Sequence, residues 1–254
     1  MRAVDLTGPT VGLPLALSDL HTLLQVGDLV TVRRKGQPPP IPFGDLLAAA
    51  GFAVQTDGGG GAAGSDGATT AARGPGRTAW TAVRERALPD TVGPGMRLLL
   101  VGLNPSPSAA ERGYGFAGPG NRFWPAATEA GLVTCPRDRR HALVVDGVGM
   151  TDLVKRPTRG AAELSRGELG HGLARIEALC AWLEPAVVCF AGLTGYRTAR
   201  DRRASEGPQA EPLGGVPVYV MGNPSGRNAH IGHGALVEHL RAALALGREK
   251  ETGL

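Results

Sequence analysis

Three short apolar runs, each bounded by turn-forming residues, dominate the hydrophobic pattern of the second half of the chain. They are LLLV at 98–101, AVVCF at 186–190 and VPVYVM at 216–221. Runs of this length predict strands buried on both faces, as in a parallel sheet. Helical patterns alternate with them at 122–130, 165–183 and 235–246, and Ser165 with Glu168 forms a capping-box pattern before the longest. This alternation predicts an α/β domain whose parallel sheet carries helices on both faces.

The first 78 residues carry a weaker pattern. The segment LPLALSDLHTLL predicts a helix capped near Ser18, LVTVRR predicts a strand, and FGDLLAAAGF predicts a second helix closed by Gly51. Residues 57–76 form a Gly/Ala/Ser tract without an apolar period, which predicts a flexible linker. We therefore divide the chain into a small N-terminal module of unknown role (1–56), a linker (57–78), a main domain (79–246) and a tail (247–254).

Two of the predicted strands run into the same tripeptide. The first is followed by Asn104-Pro105-Ser106 and the third by Asn223-Pro224-Ser225. Pro105 favours an extended conformation at Asn104, so the amide is held in a defined direction. A single Asn-Pro after a strand is more often a turn than a site. Because parallel strands bring their carboxyl ends to one edge, where α/β sheets bind ligands, the pair predicts two loops lining one cleft.

Composition narrows the classes of protein that remain. No apolar run approaches the ~18 residues that span a bilayer, and the N-terminus lacks a signal-peptide pattern, so we expect a cytoplasmic protein. The cysteines at 135, 180 and 189 show no metal-ligand pairing, and their number excludes a four-cysteine iron–sulfur cluster. We expect no metal and no cofactor.

Charge favours a nucleic-acid partner without deciding it. Residues 1–95 carry 8 basic and 8 acidic side chains, whereas 96–245 carry 17 and 13, and nearly all the basic ones are arginine. Arginine binds phosphate in a bidentate manner. A general codon preference for arginine explains the same excess, so both interpretations stay open.

Several motifs of the main domain resemble one family. GLNP, a phenylalanine twelve residues beyond its Asn, GPGNRFW, MTDLVKRPT and NPSGRN resemble, in this order over residues 79–246, the mismatch-specific uracil-DNA and thymine-DNA glycosylases. The resemblance implies a three-layer α/β/α sandwich around a short central parallel sheet, with residues 1–56 as an appendage. It also implies a monomer that hydrolyses the bond between a uracil-like base and deoxyribose in duplex DNA with a G·U or G·T mispair.

The resemblance implies roles around the first loop. Asn104 takes the position that holds the attacking water, which a neutral amide can orient but not deprotonate. A base inside a duplex must be flipped into a pocket, where Phe116 can stack on it. We assign base binding to Leu103, Ser106, Phe116 and Asn121, with backbone N–H groups stabilising the leaving anion. Asp152 is a rival general base, although a helix-capping aspartate is the favoured explanation for it.

The second loop is implied to contact DNA. Ser225 and Gly226 let the backbone approach phosphate, and Arg227 stands where the family inserts a wedge into the gap left by the flipped nucleotide. An arginine there resembles the thymine-glycosylase branch more than the bacterial uracil branch. Asn223 is expected to fix the loop, and Asn228 completes the predicted DNA-binding set.

Departures from the family pattern leave the substrate open. Ser106 replaces a common glycine, and Ala109 lacks a hydroxyl that some members have. Preference among uracil, thymine and modified cytosine is therefore not fixed. Two other functions remain: a catalytically weak protein that binds lesions with the same fold, in which Ser106 has spoiled the pocket, and an α/β enzyme acting on free nucleotides. No G-x-G-x-x-G or Walker pattern follows the predicted strands, which argues against the latter.

Overall fold

The computed structural model describes residues 2–55, 78–226 and 231–252. The strands are, in chain order, β1 (Arg2–Leu6), β2 (Leu29–Arg34), β3 (Phe52–Val54), β4 (Ala79–Arg84), β5 (Leu98–Gly102), β6 (Val148–Asp152), β7 (Val188–Ala191), β8 (Gly207–Pro208) and β9 (Val218–Met221). The α-helices are α1 (Leu13–Leu23), α2 (Phe43–Ala49), α3 (Pro107–Arg112), α4 (Phe123–Glu129), α5 (Arg139–Val144), α6 (Arg166–Leu183), α7 (Leu193–Ala199) and α8 (His233–Thr252). Apart from Thr78, the predicted linker lies outside the described residues.

The larger sheet has the strand order β6-β5-β7-β9-β8. Its first four strands are parallel, and the two-residue β8 pairs antiparallel at the edge. Along β5, Leu98 and Leu100 pack into the core formed with α4 and α8, whereas Leu99 and Val101 pack into the core formed with α6 and α7. This alternation follows from the two-residue period of a strand. The predicted three-layer α/β/α sandwich is therefore confirmed.

Sequence patterns located the strands with a continuous apolar run and missed the parallel strand whose run is interrupted. The three predicted strands correspond to β5, β7 and β9, and α6 starts with Ser165 and Glu168 in the predicted capping box. The fourth parallel strand, β6, was not predicted, because Gly149, Thr151 and Asp152 interrupt its apolar run although all five of its residues are buried. No helix in the described part of the chain is both long enough and apolar enough to cross a membrane.

The N-terminal elements form a second sheet in the order β1-β2-β4-β3. Strand β4, which we placed at the start of the main domain, pairs with β2 and β3 of this sheet. The predicted cap near Ser18 is wrong. Helix α1 begins at Leu13 with Pro14 in its first turn, where a missing N–H costs nothing, and Ser18 is fully buried in its middle. Helix α2 ends before Gly51, whose φ of +83° favours glycine, as predicted.

Arginines of α5 help to link the N-terminal module to the main domain, and one of them, Arg140, pairs with Asp19 on α1 (3.0 Å). From α5, Arg139 donates hydrogen bonds to the hydroxyls of Ser18 (2.5 Å) and Thr22 (2.9 Å) on α1, and to the carbonyl of Gly113 (2.8 Å) after α3. Burial lowers the pKa of Arg139, and the neighbouring Asp19, Asp138 and Asp90 oppose this effect. Arg139 thus bridges α1 of the N-terminal module and the start of the loop that leads to Phe116.

Candidate active site

The carboxyl edge of the larger sheet gathers the predicted loops. Asn104 follows β5, Asp152 ends β6, Gly192 follows β7 and Asn223 follows β9. Because only β7 separates β5 from β9, the two Asn-Pro loops start about two strand spacings, roughly 10 Å, apart. Gly192 lies between them, and a Cβ built on it would stand 3.9 Å from Cβ of Asn223. Both loops therefore border one edge of the sheet.

The Asn104 side chain is anchored through its amide nitrogen. Nδ2 donates to the hydroxyl of Thr158 (2.7 Å) and to the carbonyls of Arg156 and Pro105 (3.2 Å each). Asn104 is half-buried. Among the described residues no donor reaches Oδ1, which leaves this oxygen available as a hydrogen-bond acceptor. An amide held in this way can orient a bound water.

The segment that anchors Asn104 is itself well fixed. Thr158 is buried, its N–H donates to the carbonyl of Pro105 (3.1 Å), and its hydroxyl donates to the carbonyl of Gly160 (2.9 Å). Arg156 forms a bidentate pair with Glu168, at 2.9 and 3.2 Å, at the start of α6. The hydrogen bond from Arg156 is the main cause that lowers the pKa of Glu168 to about 2.

Sequence reasoning missed the positioning role of Arg156 and Thr158. Both lie in MTDLVKRPT, the stretch that drew attention only through the family resemblance. Their contacts with Asn104 span more than fifty residues of sequence, so no local pattern could have predicted them.

A buried charge cluster lies beside this site. Asp90 accepts hydrogen bonds from Lys155 (2.7 Å), Arg175 (2.5 Å) and Thr151 (2.7 Å). Burial alone would raise the pKa of Asp90, but Arg175 and Lys155 outweigh it and lower this pKa. Asp90 is thus the charged carboxylate of the cluster, and it holds both cations.

Asp152 is left poorly paired by this arrangement. Its nearest cation is Lys155, whose Nζ lies 3.9 Å from Oδ2, and among the described residues no hydrogen bond reaches its carboxyl group. Burial raises the pKa of Asp152 to about 6, and Asp90 adds to the increase while Lys155 and Arg175 oppose it. The carboxyl group lies against Gly102, where any Cβ would collide with it. Asp152 ends a strand, so the helix-capping explanation for it is wrong.

Phe116 has a constrained backbone and a supported ring. Its φ of +58° is uncommon for a non-glycine residue and costs about 1–3 kcal/mol, a strain typical of functional sites. The half-buried ring stacks on fully buried Phe123, with centroids 4.3 Å apart. The indole N–H of Trp124 donates to the carbonyl of Gly115 (2.9 Å), which fixes the preceding residue. The GNRFW motif therefore supports the loop that carries Phe116.

The other predicted base-binding residues have structural contacts of their own. The Ser106 hydroxyl caps α3 by accepting from the N–H of Ala109 (3.2 Å). Oδ1 of Asn121 accepts from the N–H of Phe123 (2.9 Å), which leaves its Nδ2 without a partner among the described residues. Leu103 packs against α7, where a Cβ on Gly195 would come within 2.9 Å of it. Their contacts with a base remain predictions.

The second loop is described up to Gly226. Asn223 accepts from the N–H of Ser225 through Oδ1 (2.9 Å), so this side chain shapes its own turn. The backbone of Gly226 lies directly on Gly120, and a Cβ at Gly226 would stand 2.6 Å from the Gly120 carbonyl oxygen. Arg227 and Asn228 lie outside the described residues, so the insertion of Arg227 into DNA and the contact of Asn228 with DNA remain predictions.

Comparison with known families agrees with this geometry. Residues 89–245 match the family model described as "Uracil DNA glycosylase superfamily". The matched segment begins after β4, so it leaves out the N-terminal sheet and covers the whole larger sheet. The match supports a DNA glycosylase activity in general, with DNA as the partner.

Proposed function

The chain belongs to the uracil DNA glycosylase superfamily, and from this premise we propose that it removes uracil from mispaired duplex DNA by hydrolysis and leaves an abasic site. Thymine and modified cytosine are further candidate bases. A G·U or G·T mispair is the expected context, because such a pair costs least to open. We expect the protein to work as a monomer without a cofactor.

The observation that carries this proposal is the anchoring of Asn104. Its Nδ2 is engaged by Thr158 and by the Arg156 carbonyl, and among the described residues no donor occupies Oδ1. A water that donates to Oδ1 would be held for attack on the sugar carbon. A neutral amide does not remove a proton, so the reaction is slow and depends on the departure of the base. Low reactivity protects normal thymine.

The loop around Phe116 would hold the flipped base and stabilise its negative charge. Stacking of a base on an aromatic ring is worth about 1–3 kcal/mol, and Phe123 already supports the ring from behind. Among the described residues no acceptor binds the Phe116 N–H, so it can donate to a base oxygen as an oxyanion-hole donor does. The Nδ2 of Asn121 offers a second donor.

Asp152 is the alternative source of a general base. Its raised pKa of about 6 and its weak pairing favour a group that takes up and releases a proton near neutral pH. In this alternative Asp152 would deprotonate the water that Asn104 holds. The two mechanisms share the same site and differ in how much of the rate is lost when the Asp152 carboxylate is removed.

A weakly catalytic lesion-binding protein is the second candidate function. The reason for this candidate is Ser106, which stands in place of a common glycine and would obstruct the base pocket. The capping bond to α3 gives this hydroxyl another role and weakens that reason. Enzymes that act on free nucleotides, the third possibility, need a phosphate-binding loop motif that the sequence lacks.

The decisive experiment uses end-labelled duplexes that carry G·U, G·T or A·U. They are incubated with the protein in EDTA and then treated with alkali, which breaks the strand at abasic sites. We expect scission only after alkali, with G·U cleaved fastest. Binding in a gel shift without scission would favour the lesion-binding function, and neither binding nor scission would contradict both. The matched control is Asn104→Ala, which should bind without cleaving.

A further inference from the structure

Arg122 lies between the base-binding loop and the second Asn-Pro loop. It is half-buried and directly precedes α4. Its backbone N–H donates to the carbonyl of Pro224 (3.0 Å). Its guanidinium donates through Nη2 to the carbonyl of Ser225 (3.4 Å) and through Nη1 to the carbonyl of Ile231 (2.5 Å). One residue thus contacts the second loop at three backbone oxygens.

The two carbonyls bound by the guanidinium lie on either side of residues 226–230. Ser225 precedes this segment and Ile231 follows it, so Arg122 ties its entry to its exit. A planar guanidinium presents five donors in a fixed fork, and a lysine ammonium cannot bridge two separated carbonyls in the same way. The backbone contact between Gly120 and Gly226 holds the entry side from a second direction.

Residues 120–123 also support the ring of Phe116, which the proposed function places against the flipped base. Asn121 accepts from the N–H of Phe123, and Phe123 stacks on Phe116. Residues 120–123 therefore touch the second loop on one side and the wall of the pocket on the other. A shift of residues 120–123 would therefore change the distance between the second loop and Phe116.

We propose that Arg122 is a positioning residue that sets the second Asn-Pro loop at a fixed distance from the base pocket. This inference rests on the proposed function and adds a residue to which the family resemblance gives no role. Arg122 acts through backbone carbonyls. Its contribution is greatest for a substrate in which the loop has to take the place of a base while the base is drawn out of its pair.

The test compares two duplexes under single-turnover conditions. One carries a G·U pair, and the other carries uracil opposite a reduced abasic site, where no pair has to be opened. For Arg122→Met we expect the rate on G·U to fall about tenfold and the rate on unpaired uracil to fall less than about threefold, since the lost contacts serve the loop and not the chemistry. Arg122→Lys should recover only part of the G·U rate.

Two further variants separate this effect from a loss of folding or charge. Arg241→Met removes the same charge from α8, where Arg241 binds Glu238 and the Glu129 carbonyl, and should cleave both duplexes like the wild type. Gly226→Ala forces a Cβ against the Gly120 carbonyl and should reproduce the G·U-selective loss. Melting temperatures are measured for all variants.

The outcomes distinguish a failure of the proposed function from a failure of the role of Arg122. A wild type that cleaves neither duplex overturns the proposed function. A wild type that cleaves both, with Arg122→Met losing both rates equally or neither, overturns the role of Arg122 and leaves the proposed function in place. A G·U-selective loss in both Arg122→Met and Gly226→Ala supports it.

Discussion

The two Asn-Pro-Ser loops share a sequence and differ in what their asparagines do. Asn104 uses its amide nitrogen to reach Thr158 and Arg156, more than fifty residues away. Asn223 uses its amide oxygen to bind the N–H of Ser225, two residues on. The first side chain is held by another part of the fold, whereas the second stabilises its own turn.

The neighbours of each strand explain this difference. Beyond β5, the chain that leaves β6 runs alongside the loop, with the N–H groups of Leu153 and Val154 donating to the carbonyls of Gly102 and Leu103 (2.9 Å each). This places Thr158 within reach of Asn104. Beyond β9, the described part of the loop packs on Gly120, and Arg122 donates to the carbonyls of Pro224 and Ser225. Identical tripeptides thus acquire different roles from their tertiary partners.

Replacement of Asn104 should have the largest effect on the rate of base removal. Asn104→Ala removes the acceptor for the attacking water, and we expect the rate of base removal to fall by roughly 10²-fold or more while lesion binding stays nearly unchanged. Asn223→Ala, its counterpart, should lower the rate at saturating enzyme less than about tenfold. Single-turnover kinetics and gel shifts measure both. Similar losses in the two variants would mean that the loops share the chemistry.

Thr158 offers a way to loosen Asn104 without removing it. Thr158→Val deletes the 2.7 Å acceptor and keeps the shape of the side chain, so the amide should turn more freely and the rate should fall roughly tenfold. Thr158→Ser keeps the hydroxyl and is the matched control. Because Thr158 is buried, thermal melts are needed to exclude unfolding. An unchanged rate in a folded Thr158→Val would show that the anchor is dispensable.

The charge on Asp152 should produce a smaller, pH-dependent effect. With a pKa of about 6, the carboxyl group is mostly neutral at pH 5 and mostly charged at pH 8. A negative charge beside the sugar favours the cationic transition state, so we expect the wild-type rate to fall severalfold from pH 8 to pH 5. Asp152→Asn should flatten this profile and lower the rate at pH 8 less than about tenfold. A loss as large as that of Asn104→Ala would make Asp152 the general base.

The pH dependence of the melting temperature tests the raised pKa of Asp152 independently of the reaction rate. Because the pKa of Asp152 in the folded protein lies above its ordinary value of 3.8, the folded state binds the proton more tightly than the unfolded state. The unfavourable contribution of its charge is therefore absent at low pH and complete above about pH 6. Asp152→Asn should raise the melting temperature at pH 8 and leave it unchanged at pH 4. The opposite order would contradict the buried, weakly paired state of this carboxyl group.

The sequence predicted those parts of the molecule that depend on local pattern. Continuous apolar runs located β5, β7 and β9, and a capping box located the start of α6. Strand β6 escaped because polar and glycine positions enter a strand that only the tertiary structure buries. The pairing of β4 with β2 and β3 was equally invisible, since it joins segments on either side of a tract without a hydrophobic period.

In the candidate site, too, the sequence indicated some residues, and the contacts that support them were found only in the structure. Asn104 was singled out by the strand end before it, and Phe116 by the family resemblance. Their supports, Thr158 for the amide and Phe123 for the ring, became visible only once distant segments were brought together. Asp152 was noticed as a carboxylate, but its pKa is raised mainly by burial, with a further contribution from Asp90, and both depend on tertiary packing. Motifs indicate which residues act, and packing determines how they are held.

The smallest expected effect comes from the outermost support of Asn104. Glu168→Gln removes the charge that pairs with Arg156, whose carbonyl accepts from Asn104, and keeps a polar group at the start of α6. The rate should fall only about twofold to threefold, because the Arg156 side chain of the pair is half exposed and Thr158 still holds the amide. Since the folded pKa of Glu168 is about 2, its stabilising charge is complete above about pH 4.5 and is lost as the pH falls toward 2. Wild type and Glu168→Gln should therefore differ slightly in melting temperature at pH 7 and converge near pH 2. A tenfold loss of rate would place the control of Asn104 in α6 and not in Thr158.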